Sequence, residues 1–200
     1  MLKTKIAVLV SGGGTNLQAL IDAERAGIIS SGKISLVLSN KRDAYALERA
    51  RLAGIETCIV ERCAVTDFEQ AIISELDSRG IELIVLAGFM SILSERFTSH
   101  YRDRIINVHP SLIPSFCGKG FYGLRVHEAA LEYGVKVSGA TVHFVNEIPD
   151  GGRIIMQRAV EVKDGDTPEL LQRRIMEEAE WKILPLSCEK VSFEIAQSKK

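Results

Sequence analysis

The sequence predicts an α/β fold: a single doubly wound, mostly parallel sheet with helices on both faces, closed by an antiparallel C-terminal strand pair. Three observations carry this. Short apolar runs alternate with segments of helical period through the first half of the chain. The most apolar run, 81–87, fits a central strand covered on both faces. After Pro114 the pattern changes, and two β-rich runs, 137–145 and 153–162, are joined through Pro149-Asp150-Gly151-Gly152 as a hairpin-like pair.

Each element has its own signal. The strand 5–10 runs into Ser11-Gly12-Gly13-Gly14, and from Thr15 the residues Leu17, Leu20 and Ile21 recur at helical spacing. Strands 34–38 and 56–60 flank a helix over about 44–53, and a further helix covers about 67–79. The strand 105–108 is stopped by Pro110, which cannot donate to a ladder. Residues 115–123, rich in glycine and aromatics, read as a loop before a helix over 124–132. Thr167 caps the last helix, Pro168 sits in its first turn, and it runs towards Leu184-Pro185. From about 190 to 200 the polar end reads as a frayed tail.

Length and composition bound the class. At 200 residues the chain suits one domain, 1–200, able to bury a core without metals or cross-links. Lys+Arg (25) nearly balance Asp+Glu (26), which argues against a broad nucleic-acid-binding surface. No apolar run approaches the roughly 18 residues needed to span a bilayer, so the expectation is a cytoplasmic protein without membrane contact. Cys58, Cys63, Cys117 and Cys188 form no C-x-x-C pair and have no histidine at zinc spacing. They read as free thiols of a reducing compartment.

Two features carry chemistry. Three glycines between a strand and a helix let backbone N–H groups converge on an anion, and a phosphate is the natural ligand. A dinucleotide fingerprint is disfavoured, because Leu17 stands at the third glycine position and the second strand ends in Ser39-Asn40 without an acid. Asn107 and His109, two apart on a strand, project to one face at its C-terminal end, where ligands bind in open parallel sheets. An amide can stabilise an oxyanion while an imidazole handles the proton. His100 and His127 are expected to be solvated on helices, and His143 is either a supporting residue or a buried structural one. Asp150 is ordinary turn chemistry by itself, though its carboxylate could face His109 and raise the imidazole pKa.

Together, Ser11-Gly12-Gly13-Gly14-Thr15-Asn16-Leu17, Leu86-Ala87-Gly88-Phe89-Met90, Asn107-Val108-His109-Pro110-Ser111-Leu112-Ile113-Pro114 and Asp150-Gly151-Gly152 closely resemble the motifs of the phosphoribosylglycinamide formyltransferase family, in order and spacing, over about 5–187. The resemblance implies a formyltransferase, Rossmann-like fold. It implies transfer of a formyl group from the co-substrate 10-formyltetrahydrofolate to the amine of glycinamide ribonucleotide in purine synthesis, without a metal. Carried onto this sequence, Gly14, Thr15 and Asn16 hold the ribonucleotide phosphate, Gly88 lies in the substrate site and Glu180 sits near the amine. Met90, Ser91, Ile92, Leu93, Asn107, Asn146 and Glu147 bind the folate, and Asn107, His109 and Asp150 catalyse. The implied partners are these two small molecules, with no nucleic acid, in a monomer or homodimer.

Some positions depart from the pattern. Ser91 stands where the family often has a basic residue, and a basic residue common near Asp67 is not evident. Lys119 or Arg125 are the candidate substitutes. The segment 117–123 is longer than in many members, and Trp181 replaces a frequent histidine. Competing readings are another folate-dependent formyl enzyme (methionyl-tRNA formyltransferase or formyltetrahydrofolate hydrolase), a non-catalytic phosphoribosyl-ligand binding protein, and a thiol hydrolase built on Cys117 and His109.

Overall fold

The computed structural model describes residues 2–62 and 67–199, so Cys63 lies outside it. The chain opens with β1 (Thr4–Val10), α1 (Thr15–Arg25), β2 (Gly32–Ser39), α2 (Tyr45–Leu52) and β3 (Glu56–Ile59). Next come α3 (Phe68–Ser78), β4 (Leu83–Leu86), α4 (Glu95–His100) and β5 (Ile105–His109). The second half holds α5 (Leu124–Tyr133), β6 (Val137–Phe144), β7 (Ile154–Glu161) and α6 (Pro168–Ile175). A π turn (Met176–Glu180) leads into α7 (Trp181–Gln197).

The strands form one sheet in the order β3-β2-β1-β4-β5-β6-β7. Every pair from β3 to β5 is parallel, whereas β6 runs antiparallel to both β5 and β7. The fold class is the expected one, and the reversal already begins between β5 and β6. Strand order turns back between β1 and β4, and such a switch point opens a crevice at the strands' C-terminal ends. The glycine loop follows β1, the segment from Gly88 follows β4, and Asn107 and His109 end β5, so all three motifs reach that edge.

Period-two alternation along β1 builds two cores. Ile6, Val8 and Val10 pack with Leu17 and Leu20 of α1, Leu47 of α2 and Leu184 of α7. Ala7 and Leu9 face the other way, towards Phe68, Ile72 and Leu76 of α3 and Phe97 of α4. All four residues of β4 are buried, as its unbroken apolar run requires of a strand covered on both faces. The sequence run began at Ile81, but the strand begins at Leu83, because Ile81 is still closing the turn after α3 through its N–H to Leu76.

The C-terminal region departs from the reading of the sequence. The expected single helix ending near Pro185 is instead α6, a π turn and a long α7 that carries Pro185 inside it. The π turn sits immediately before α7, and Pro185 lies in the second turn of that helix. Nor is the chain frayed from 190. The helix continues to Gln197, burying Val191, Ser192 and Ala196, and Thr4 Oγ1 donates to the Ser192 carbonyl at 2.8 Å.

Candidate active site

Register on the sheet assembles the polar cluster. Asn107 of β5 pairs directly with His143 of β6, and the amide Nδ2 donates to His143 Nε2 over 3.3 Å. The other ring nitrogen of His143, Nδ1, donates to the Phe144 carbonyl at 2.8 Å, so Nε2 accepts from Asn107 in the neutral ring and donates to Asp150 only in the protonated ring. Asp150 bridges the two histidines. Its Oδ1 lies 3.5 Å from His143 Nε2, its Oδ2 lies 3.5 Å from His109 Nδ1, and Oδ2 also accepts the Gly118 N–H at 2.8 Å.

The turn that presents Asp150 is tightly specified. Asp150 has φ +56°, a conformation that few residues other than glycine, asparagine and aspartate adopt readily. A Cβ on Gly152 would lie 1.7 Å from the Phe144 carbonyl oxygen, so only glycine lets this turn pack on β6. Asp150 is therefore more than the ordinary turn residue its Asp-Gly context suggested.

Protonation in the cluster is finely opposed. His109 Nε2 donates to the Phe116 carbonyl at 2.8 Å while Nδ1 faces Asp150, and only the imidazolium satisfies both acceptors at once. Burial outweighs this, pushing the His109 pKa below its ordinary value; Asp150 and the Phe116 carbonyl pull it up, and His143 lowers it further. The expected upward shift from Asp150 is thus present but loses to desolvation. Burial also pushes the Asp150 carboxyl up, yet the His143 contact, the His109 charge and the Gly118 N–H together hold it below the usual value.

A small cleft of about 130 Å³ opens in front of the cluster. Asn107, Ser91, Ile92, Leu93, Asn146, Glu147 and Asp150 all line it, as does His143. Met90 does not; it faces solvent at 56% exposure, while its backbone N–H donates to Ser11 Oγ at 2.9 Å. His109 is 4% exposed and sits behind the lining residues, reaching the cleft through Asp150. Ser11 Oγ donates to Asn40 Oδ1 at 2.7 Å, and Asn40 Nδ2 donates to Ser91 Oγ at 3.1 Å. Ser91 therefore ties the cleft to the glycine loop, and neither Lys119 nor Arg125 joins its lining. Arg125 stacks on Tyr122, and Asp67 pairs with Arg96 at 2.7 Å.

The glycine loop forms a second subsite. Gly14 has φ +74°, and a Cβ there would lie 2.6 Å from Ala46 Cβ, so α2 packs directly on the loop. Asn16 Nδ2 donates to Glu180 Oε2 at 2.7 Å, drawing the π turn against the start of α1. Burial pushes the Glu180 carboxyl above its ordinary value, and Asn16 opposes that. Thr15 stands beside these residues with its hydroxyl near Met176, and Gly88, with φ +75°, turns the chain out of β4 towards the cleft.

Of the remaining histidines, His127 differs from expectation and His143 takes one of its two expected places. His127 is not solvated: it is fully buried, neither ring nitrogen has a partner among the described residues, and burial, aided by His109, lowers its pKa to about 4. His143 joins the cluster, a placement that needed the β5–β6 register to be known. Cys117 donates to the Pro114 carbonyl at 3.3 Å, and burial raises its pKa, so it is no activated thiolate. Among the described residues no group of three or more His, Cys, Asp or Glu side chains is placed to hold a metal. No helix is long and apolar enough to cross a membrane among them either.

The formyl transferase family model matches residues 4–187. The phosphoribosylglycinamide formyltransferase of Haemophilus influenzae is 44% identical over 91% of this chain and 84% of its own length. The trifunctional purine biosynthetic protein adenosine-3 of Gallus gallus is 45% identical over 95% of this chain, which spans only 18% of that longer protein. Glycinamide ribonucleotide transformylase 1 of Symbiobacterium toebii superposes with a TM-score of 0.89 at 42% identity, covering 96% of this chain and 89% of that one.

Proposed function

The chain belongs to the formyl transferase family, and from that premise we propose that it transfers a formyl group from 10-formyltetrahydrofolate to the amine of phosphoribosylglycinamide in purine biosynthesis. One observation carries the reading: Asn107, His143 and Asp150 share the wall of a cleft with His109 directly behind. The cleft suits a folate ring. Leu86, Phe89, Leu93, Val145 and Ile148 supply apolar faces, while the backbone about Ser91 and Asn146 supplies polar edges. The ribonucleotide phosphate lies on the glycine loop at the segment Gly14, Thr15 and Asn16, where backbone N–H groups converge, and Glu180 meets the amine.

The substrate amine attacks the formyl carbon, and negative charge gathers on the formyl oxygen. One Asn107 N–H is held by His143, leaving the second for that oxygen. His109 supplies a second donor when Nε2–H exchanges the Phe116 carbonyl for the oxyanion. Asp150 holds the imidazole and relays the proton released by the amine, through water, to the departing folate nitrogen. Because residues 116 and 118 contact His109 and Asp150 respectively, substrate entry and loop contacts compete for the same two groups. A cytoplasmic location is part of the proposal, supported by the free thiols of Cys58, Cys117 and Cys188.

The test is to incubate purified protein with phosphoribosylglycinamide and 10-formyltetrahydrofolate and to weigh the products by mass spectrometry. Formylated ribonucleotide supports the proposal. Faster formylation of methionyl-tRNA, or hydrolysis of the folate without transfer, would move the function to a relative.

A further inference from the structure

We propose that Arg49 of α2 is a positioning residue that aims the glycine-loop amides at the substrate phosphate, and so makes the enzyme select phosphorylated substrates. This deepens the proposed function and rests on it. Arg49 is half-buried; its Nε donates to the Gly13 carbonyl at 2.8 Å and one Nη to Gln18 Oε1 at 3.1 Å. Its guanidinium also lies 5.1 Å over the Tyr45 ring, which holds it in place. One residue earlier, the Gly12 carbonyl accepts the Ala46 N–H at 3.0 Å, and one residue later the Gly14 carbonyl accepts the Gln18 N–H at 2.9 Å. Three successive carbonyls are therefore pinned, two of them by α2.

In a planar trans peptide the C=O and the following N–H point in opposite directions. Fixing the carbonyls of Gly12, Gly13 and Gly14 thus aims the N–H groups of Gly13, Gly14 and Thr15 away from their partners. Among the described residues none of these three N–H groups has a hydrogen-bond partner. Glycine peptides rotate freely when unpinned, so without Arg49 the Gly13-Gly14 peptide would be ordered only as the anion bound, at a cost in affinity. The retained positive charge beside the loop favours an anion as well.

The test compares Arg49→Met and Arg49→Lys with the parent protein, after thermal melts establish that both are folded. Arg49→Met should raise the KM for phosphoribosylglycinamide about tenfold, with kcat within about twofold and the KM of the formyl donor unmoved. The same amide riboside lacking its phosphate should be formylated equally well by parent and variant. Arg49→Lys, which keeps the charge but not the Nε–Nη fork, should fall between them. Inorganic phosphate, titrated calorimetrically, should bind Arg49→Met about tenfold more weakly. Equal losses on the phosphorylated and dephosphorylated substrates, or unchanged phosphate binding, would overturn the proposal. A parent protein that transfers no formyl group but binds phosphate through Arg49 would refute the proposed function and leave this inference standing.

Discussion

Replacing Asn107 with alanine removes a donor from the point where the formyl oxygen gathers charge, and the loss should be read in kcat. The amide has two N–H bonds, and the one to His143 is long at 3.3 Å, so its loss costs the fold no more than about 1 kcal/mol. The side chain lies on the cleft wall and is only partly buried, so truncation opens onto solvent and leaves no sealed cavity. The second N–H meets full negative charge only in the transition state. Removing one such donor typically lowers kcat by about a hundred- to thousandfold, or about 2.7–4 kcal/mol. Both KM values should move less than about threefold, because ground-state binding does not use the bond. Asn107→Asp, of the same size but bearing an anion, should be at least as slow. Initial rates of formyl product at saturating substrates, with a urea melt of each variant, measure both effects. A folded Asn107→Ala protein with kcat within tenfold of the parent, or with a defect confined to KM, would refute the oxyanion role.

Three further outcomes follow from other contacts. His127, buried without a partner among the described residues and lowered to about 4, adds nothing above the unfolded value of about 6.5. As pH falls from about 6.5 to about 4 the unfolded chain takes the proton first, and stability drops by up to about 3 kcal/mol. His127→Leu should remove most of that slope from urea midpoints recorded across the window; an unchanged slope would assign it elsewhere. Gly14→Ala places a Cβ 2.6 Å from Ala46 Cβ at φ +74°, so the loop must shift, and the KM for the phosphorylated substrate should rise more than about tenfold in steady-state assays. Asn40→Ala breaks the Ser11–Asn40–Ser91 link between the two subsites, and should raise both KM values severalfold with kcat nearly kept. A change in only one KM would show that the link is not shared.

The parts legible in the sequence are those set by local rules. The unbroken apolar run 81–87 announces a strand covered on two faces, and all four residues of β4 within it are buried. The glycines after β1 and the Asn107/His109 spacing at the end of β5 marked the crevice edge for the same reason. What was hidden depends on partners distant in the chain. His143 joins the cluster because β5 and β6 pair antiparallel with Asn107 opposite it, and nothing in a Val-His-Phe alternation states that register. His127 sits among charged neighbours in sequence, but α5 turns it inward behind His109. Pro185 should stop a helix on local grounds, yet it falls early in α7, which continues to Gln197. The sign of the His109 shift likewise depends on burial, which no motif records, and burial there exceeds the pull of Asp150.

The most direct test of the account is single-turnover formyl transfer by the parent protein and by His109→Ala, each mixed with phosphoribosylglycinamide and 10-formyltetrahydrofolate and quenched for product. The account predicts formylated ribonucleotide from the parent and a folded His109→Ala protein that binds both substrates but makes almost none. Near-normal transfer by His109→Ala would contradict the catalytic role given to the cluster of Asn107, His109 and Asp150.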